Sequence, residues 1–427
     1  MKIVQTELFK EMEKGLEGKE WSSVLMLPSF VMRKSVEGKS GEYYALDLGG
    51  TNFRVLRLVL KDSKVVNVQQ AKFKIPLEHV TGETACSDGL FGFIATSVKK
   101  FIGDSRVNYP PLGFTFSFPM TKKSLNSGIL VRWTKSFTTH GVVGEDVCGL
   151  LADQFKRHSV PMGVTAVIND TVGTLVTEYF EDDTALLGVI IGTGFNVAYW
   201  EKVANIPKYI RANPSADPSH SMCINMEVGN FDSPHMKVLK YVANEYDAKI
   251  DAASPNKKLG LVEKMVSGLY MGEIARMALL DLKKQGIIRG LDGKLEKKNG
   301  FPSWHLSGCV ADDTLRLRKI SSILKKNYGV NTTLEERKAF RLVCGWVVVR
   351  SARIAATIIG SVVLRTGYEW DCTVAIDGSV FEKTPGYPEL MQKAFKDLYG
   401  EQPFNIRLVL TKDGSGKGAG LSAALMS

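Results

Sequence analysis

Apolar residues gather into short runs that stop at small polar turns, and this layout recurs along the chain. Residues 43–60 read YYALDLGGTNFRVLRLVL, two apolar runs around Gly49-Gly50-Thr51-Asn52. Residues 186–200 read LLGVIIGTGFNVAYW, the same layout around Gly192-Thr193-Gly194. Both predict β-hairpins, with glycine supplying the backbone angles of the turn. A third run, 373–376, leads into Asp377-Gly378-Ser379. The recurrence suggests an ancient duplication, one hairpin opening each half. Between the hairpins, 112–118 (LGFTFSF) and 164–168 read as strands and 173–180 as helix. Thr333 with Glu336 three residues later is a capping box, predicting a long helix from there to Gly360. Alternating strands and helices predict an α/β architecture with ligand loops at strand ends.

Composition narrows this picture. The 427 residues suggest two or three domains, at roughly 150 residues each. With 44% hydrophobic and 23% charged residues, disorder, collagen-like repeats and a disulfide-dense miniature scaffold are excluded. Six scattered cysteines without a CxxC pair signal neither a zinc site nor a redox motif, and predict reduced thiols in a cytoplasmic protein. No signal-peptide core opens the chain. The most membrane-like run, 342–364, carries Arg350 and Arg353 near its middle, so no membrane anchor is expected. The net charge of +10 is unusual, and residues 283–326 supply seven of it, with eleven Lys/Arg against four Asp/Glu. That stretch reads as a helical, basic surface insertion. Without an aromatic-interleaved or recognition motif, it predicts no nucleic-acid partner.

Four segments carry candidate chemistry. In Asp47-Leu48-Gly49-Gly50-Thr51-Asn52 the glycines let backbone N–H groups approach a phosphate, Thr51 and Asn52 add donors, and Asp47 can hold a magnesium ion directly or through water. A plain hairpin turn is the alternative. The second turn at Thr193-Gly194 favours phosphate, because a triphosphate needs contacts on two sides. No GxxxxGK[ST] motif occurs, and the Gly-rich run 414–420 lacks the strand-to-helix setting of a dinucleotide fingerprint. In Ile168-Asn169-Asp170-Thr171, Asp170 is either a helix N-cap or a general base at a strand end. Residues 132–137 (RWTKSF) place Lys135 between aromatics, where Thr134 and Lys135 could donate to a sugar and to phosphoryl oxygens. Asn196, Glu227 and Glu263 are side chains of the kind that pair with adjacent hydroxyls of a polyol.

The chain resembles a eukaryotic-type hexokinase over nearly its whole length. The resemblance rests on ALDLGGTNFRV (45–55), LGFTFSFP (112–119), RWTKSF (132–137), INDTVGTL (168–175), IGTGFN (191–196), MVSGLYMGEIAR (265–276) and DGSVFEKTPGY (377–387), all in order. It implies a two-lobed actin-like (ribonuclease H-like) α/β sugar kinase fold with an interdomain cleft. Residues 39–170 plus 414–427 would form the small domain, and 1–38 plus 171–413 the large one. It further implies ATP-dependent phosphorylation of the 6-hydroxyl of a hexose, most often glucose, as the first step of glycolysis, with Mg²⁺ arriving on ATP. By the same resemblance Asp170 matches the catalytic base. Ser117, Thr134, Lys135, Asn169, Asn196, Glu227 and Glu263 match sugar-contacting positions. Asp47, Gly49, Gly50, Thr51, Asn52, Thr193 and Gly194 match phosphate loops, and Gly378 and Ser379 the adenosine-side turn.

Lys135 would offset charge on the γ-phosphoryl group, and sugar-driven closure would exclude water as a competing nucleophile. Three positions depart from the family pattern beside the sugar pocket: Ser136 for a usual glycine, Val228 for an aromatic, and Asn256-Lys257-Lys258-Leu259 for Asn-Pro-Gly-Gln. A catalytically silent sugar sensor is the alternative function. Its mark would be loss of the base, the lysine or a phosphate-loop glycine, and none is lost. A monomer or homodimer is expected.

Overall fold

Both glycine-turn hairpins form, each inside its own mixed sheet, in a computed structural model describing residues 1–50, 52–103, 111–133, 137–291, 293–367, 371–400 and 405–427. The strands in chain order are β1 (Leu27–Met32), β2 (Gly41–Leu48), β3 (Asn52–Lys61), β4 (Lys64–Lys74), β5 (Pro111–Phe116), β6 (Met120–Thr121), β7 (Ile129–Leu130), β8 (Gly163–Ile168), β9 (Ala185–Ile191), β10 (Phe195–Lys202), β11 (Ser221–Asn225), β12 (Asp371–Asp377) and β13 (Asn405–Leu410). One sheet runs β4-β3-β2-β5-β8; the other runs β1-β11-β10-β9-β12-β13. Setting β1 aside, each reads third, second, first, fourth, fifth in its own chain order. In each, two antiparallel pairings come first and two parallel ones follow. The duplication suggested by the turns is therefore visible in the topology.

Two helices lie between the sheets, Asp170–Tyr179 and the C-terminal Gly414–Met426. Their buried residues Val172, Leu175, Leu421 and Ala424 share one apolar cluster with Ala45, Leu56 and Leu58 of the first sheet and Ala185, Ala198 and Trp200 of the second. Close approach here requires glycine. A Cβ on Gly418 would lie 2.1 Å from the Gly173 carbonyl oxygen, and one on Gly113 would lie 1.9 Å from that of Ala419. The Gly-rich run is thus a packing surface. Lys122 also ties the sheets, donating to the Ser29 carbonyl on β1 at 2.6 Å and to the Val167 carbonyl on β8.

The long helix spans Leu334–Arg365, and its capping box is in place: the Glu336 N–H donates to Thr333 Oγ1 at 3.2 Å, and the Thr333 N–H to Glu336 Oε2 at 2.7 Å. It runs five residues past the expected stop at Gly360. That glycine instead faces the Tyr399 ring, which a Cβ would approach to 2.5 Å. By length and composition the helix could cross a membrane, but 78% of its most apolar window is buried inside the protein. Arg350 pairs with Asp247 at 2.7 and 2.8 Å, and Arg353 with Asp397 at 2.6 Å. It is a core helix.

The basic segment 283–326 differs from the surface insertion expected. Ile288, Leu291, Leu295, Phe301, Leu306, Leu317, Ile320 and Leu324 are buried in the main core. Its lysines and arginines are mostly exposed, so charge concealed a core contribution carried by intervening apolar positions.

Candidate functional site

The ends of β8, β10 and β11 carry four of the eight candidate sugar-side residues, Asn169, Asp170, Asn196 and Glu227. Where β8 ends, Asn169 caps the next helix: its Oδ1 accepts from the Thr171 N–H at 3.1 Å and from Thr171 Oγ1 at 2.8 Å. The N-cap role expected as the alternative for Asp170 therefore belongs to Asn169. Asp170 is the first helical residue, half-buried, with Oδ1 accepting the Thr171 N–H at 2.9 Å. A carboxylate there is favoured by the unpaired N–H groups of the helix start.

Across from it stand Asn196 on β10 and Glu227 just beyond β11. Asn196 Nδ2 lies 3.4 Å from Glu227 Oε1. Glu227 has φ +56°, a left-handed conformation that costs a non-glycine residue on the order of 1 kcal/mol or more and often marks functional sites. Burial pushes its carboxyl up, the charges of Asp170 and Glu263 add to that, and a hydrogen bond from Asn225 and the charge of Arg132 oppose it. Glu263 sits in the first turn of the helix Leu261–Val266, and its Oε2 accepts the Phe195 N–H at 3.2 Å. A Cβ on Gly194 would meet that same oxygen at 2.7 Å. The second glycine turn and the carboxylate are therefore packed together.

On the first sheet, Asp47 is the next-to-last residue of β2 and pairs in register with Arg54 on β3. The Arg54 guanidinium grips Asp47 Oδ2 through Nε at 3.0 Å and through Nη2, and it also pairs with Asp413. Burial alone would lower the Arg54 pKa, but the two carboxylates hold it above its ordinary value. Ser415 Oγ donates to the same Asp47 oxygen at 3.2 Å. Gly49 follows beside Ser117, whose Oγ would lie 3.6 Å from a Cβ there, while a Cβ on Gly50 would meet nothing within 4 Å. Asn52 is exposed at the start of β3.

On the second sheet, Gly192 and Gly378 lie back to back. A Cβ on Gly378, at φ +126°, would come within 2.5 Å of the Ile191 carbonyl. The Gly192 carbonyl accepts from the Gly268 N–H at 2.8 Å. Thr193 and Ser379 are exposed at this edge. Thr51, Thr134 and Lys135, with Ser136, lie outside the described residues. The flanking Trp133 is anchored by its Nε1 donating to the Thr139 carbonyl at 2.8 Å and by its ring stacking on Phe137. Of the departures from the family pattern, Val228 is fully buried with its N–H on Asn196 Oδ1, and the Asn256 carbonyl is held by Lys264.

Among the described residues, no group of three or more His, Cys, Asp and Glu side chains could hold a metal ion. Asp47 offers one carboxylate whose Oδ2 is already engaged. A single carboxylate of this kind fits a Mg²⁺ that takes most of its ligands from elsewhere.

Two family models, both described as hexokinase, match residues 1–180 and 186–425. The chain belongs to the hexokinase family. It is 36% identical to Hexokinase-1 of Saccharomyces cerevisiae, covering 100% of this chain and 88% of that one. It is 38% identical to Hexokinase-7 of rice, Oryza sativa subsp. japonica, over 98% and 91% of the two chains. The solved hexokinase of Schistosoma mansoni complexed with glucose superposes with a TM-score of 0.88 at 32% identity, covering 99% and 94%. The two α/β lobes are accordingly those of the hexokinase, actin-like sugar kinase fold. The chain is an enzyme of this family, whose activity is ATP-dependent phosphorylation of a hexose.

Motif reading missed several hexokinase-site neighbours. Asn225, Arg54 and Ser415 each touch a candidate residue, Asn196 in the first case and Asp47 in the other two, and Asp413 pairs in turn with Arg54. Only Asn225 left a local sign, a polar residue closing the otherwise apolar run MCI two positions before Glu227.

Proposed function

We propose that this hexokinase transfers the γ-phosphoryl group of MgATP to the 6-hydroxyl of a hexose, glucose foremost, with Asp170 as general base. The observation that carries the reading lies just after β8: Asn169 is the N-cap, and Asp170 holds the Thr171 N–H through Oδ1 alone, so its Oδ2 has no protein partner among the described residues. Glu227 and Glu263 accept from sugar hydroxyls, and Asn169 and Asn196 complete the hydroxyl-binding set with Ser117, Thr134 and Lys135. The turns at Gly49–Asn52 and Thr193–Gly194 receive the phosphates from two sides, and Gly378 and Ser379 face the adenosine. Asp47 would hold the Mg²⁺ of the nucleotide, which would offset the charge of the phosphates.

As the sugar oxygen attacks in line, Asp170 takes its proton and Lys135 offsets charge on the transferring group. Catalysis is then mostly positioning and charge stabilisation. The two sheets support a small domain of 39–170 plus 414–427 closing on a large domain of 1–38 plus 171–413. Six free cysteines suit a cytoplasmic enzyme. The position of transfer is read by phosphorus NMR of the product formed from glucose: phosphate on O6 is expected, and phosphate on O1 overturns the assignment. A second expectation concerns Gly194→Ala. The added methyl displaces the flexible end of Glu263 and leaves the backbone in place, so the hexose KM should rise ~10-fold with little change in melting temperature. An unchanged KM would remove Glu263 from the sugar-binding set.

A further inference from the structure

Behind Asn196 and Glu227 lies a side chain that the proposed roles leave unused. Asn225 is the last residue of β11 and is 6% exposed, in register with Leu27 of β1 on one side and Ala198 of β10 on the other. Its amide is used at both ends. Oδ1 accepts from Asn196 Nδ2 at 2.8 Å, and Nδ2 donates to Glu227 Oε1 at 2.8 Å. Thr171 Oγ1 lies 3.5 Å from the same Oδ1, which brings the Asn169 cap against it. An amide can accept from one neighbour through its oxygen and donate to the other through its nitrogen at a single buried position.

The consequence is a fixed presentation. One Asn196 N–H is committed to Asn225, and the other points toward Glu227 over a long 3.4 Å separation that a sugar hydroxyl could replace. Asn196 Oδ1 is turned away, taking the Val197 and Val228 N–H groups at 2.8 and 3.3 Å. Glu227 Oε1 is occupied, and Oε2 is left as the acceptor. A donor and an acceptor then stand side by side, the pair needed to read one hydroxyl that both gives and accepts. We propose that Asn225 is a positioning residue that fixes Asn196 and Glu227 as a donor–acceptor pair for a hexose hydroxyl, and thereby sets hexose affinity without touching the sugar. The inference rests on the functional reading above.

Two variants test it, with purified wild-type enzyme assayed in parallel for glucose phosphorylation. Asn225→Ala removes both bonds and should raise the glucose KM at least ~10-fold, with the ATP KM unchanged and kcat falling far less than for loss of the base. Asn225→Asp keeps the shape but places a second carboxylate against Glu227 Oε1. Such a pair shares one proton as pH falls. Its glucose KM should therefore drop from about pH 8 to about pH 6 relative to wild type, as the shared proton restores the missing bridge. A merely structural asparagine would not produce that pH signature. Should the alanine variant fail to fold, the isosteric aspartate carries the test alone. A glucose KM within about 2-fold of wild type at both pH values in the aspartate variant overturns the proposal. Absence of glucose phosphorylation in wild type overturns the functional reading instead.

Discussion

Asp170→Ala is expected to bind glucose with near wild-type affinity while turning over at least ~10²-fold more slowly. That loss corresponds to about 2.7 kcal/mol of barrier. The competing account treats Asp170 as a helix-start carboxylate, favourable by about 0.3–1 kcal/mol through the macrodipole. An effect of that size lowers stability slightly and leaves the turnover of folded enzyme untouched. The magnitudes separate the two accounts, and Asn169, not Asp170, performs the N-cap role. Titration calorimetry with glucose together with steady-state turnover decides it. Near-normal turnover in a folded variant would remove the base assignment.

The same substitution at two helical glycines should act in opposite directions. In helix interiors, glycine to alanine stabilises by about 0.5–1 kcal/mol when the methyl has room. Gly345, in the long helix, has nothing within 4 Å of an added Cβ, so Gly345→Ala should raise the melting temperature. Gly418 has the Gly173 backbone at 2.1–2.4 Å. Backbone cannot swing aside as a side-chain tip can, so the helices Asp170–Tyr179 and Gly414–Met426 would have to separate where they hold the two sheets together. Gly418→Val should cost ~3 kcal/mol or more, and Gly418→Ala should destabilise despite its gain in helix propensity. Thermal melts of the three variants supply the check; a Gly418→Ala enzyme melting at or above wild type would contradict this packing.

What could be read from the sequence was local. The glycine turns between apolar runs announced both hairpins, and Thr333 with Glu336 announced the start of the long helix, because those signals are carried by residues a few positions apart. The clustering of Asn169, Asp170, Asn196 and Glu227 was legible only through family motifs, since no local rule brings β8 next to β11. What stayed hidden was set by partners distant in sequence. Gly360 looked like a helix stop, but its requirement comes from Tyr399. Gly418 belongs to a Gly-rich run that matches no phosphate-binding fingerprint, and its requirement comes from Gly173. Asn225 carries no motif, and only the fold reveals that its amide joins two candidate sugar ligands. In the basic segment, lysine-rich composition masked apolar residues that enter the core.

The central claim is hexose-dependent phosphoryl transfer from ATP. Its most direct measurement is ADP release by the purified enzyme with MgATP and glucose, repeated with mannose, with fructose and with no sugar. ADP release should depend on added hexose, be fastest with glucose and stay near background without sugar, the result expected where closure around the sugar excludes water from the γ-phosphate. ADP release at the same rate with and without sugar, or none under any condition, would contradict it.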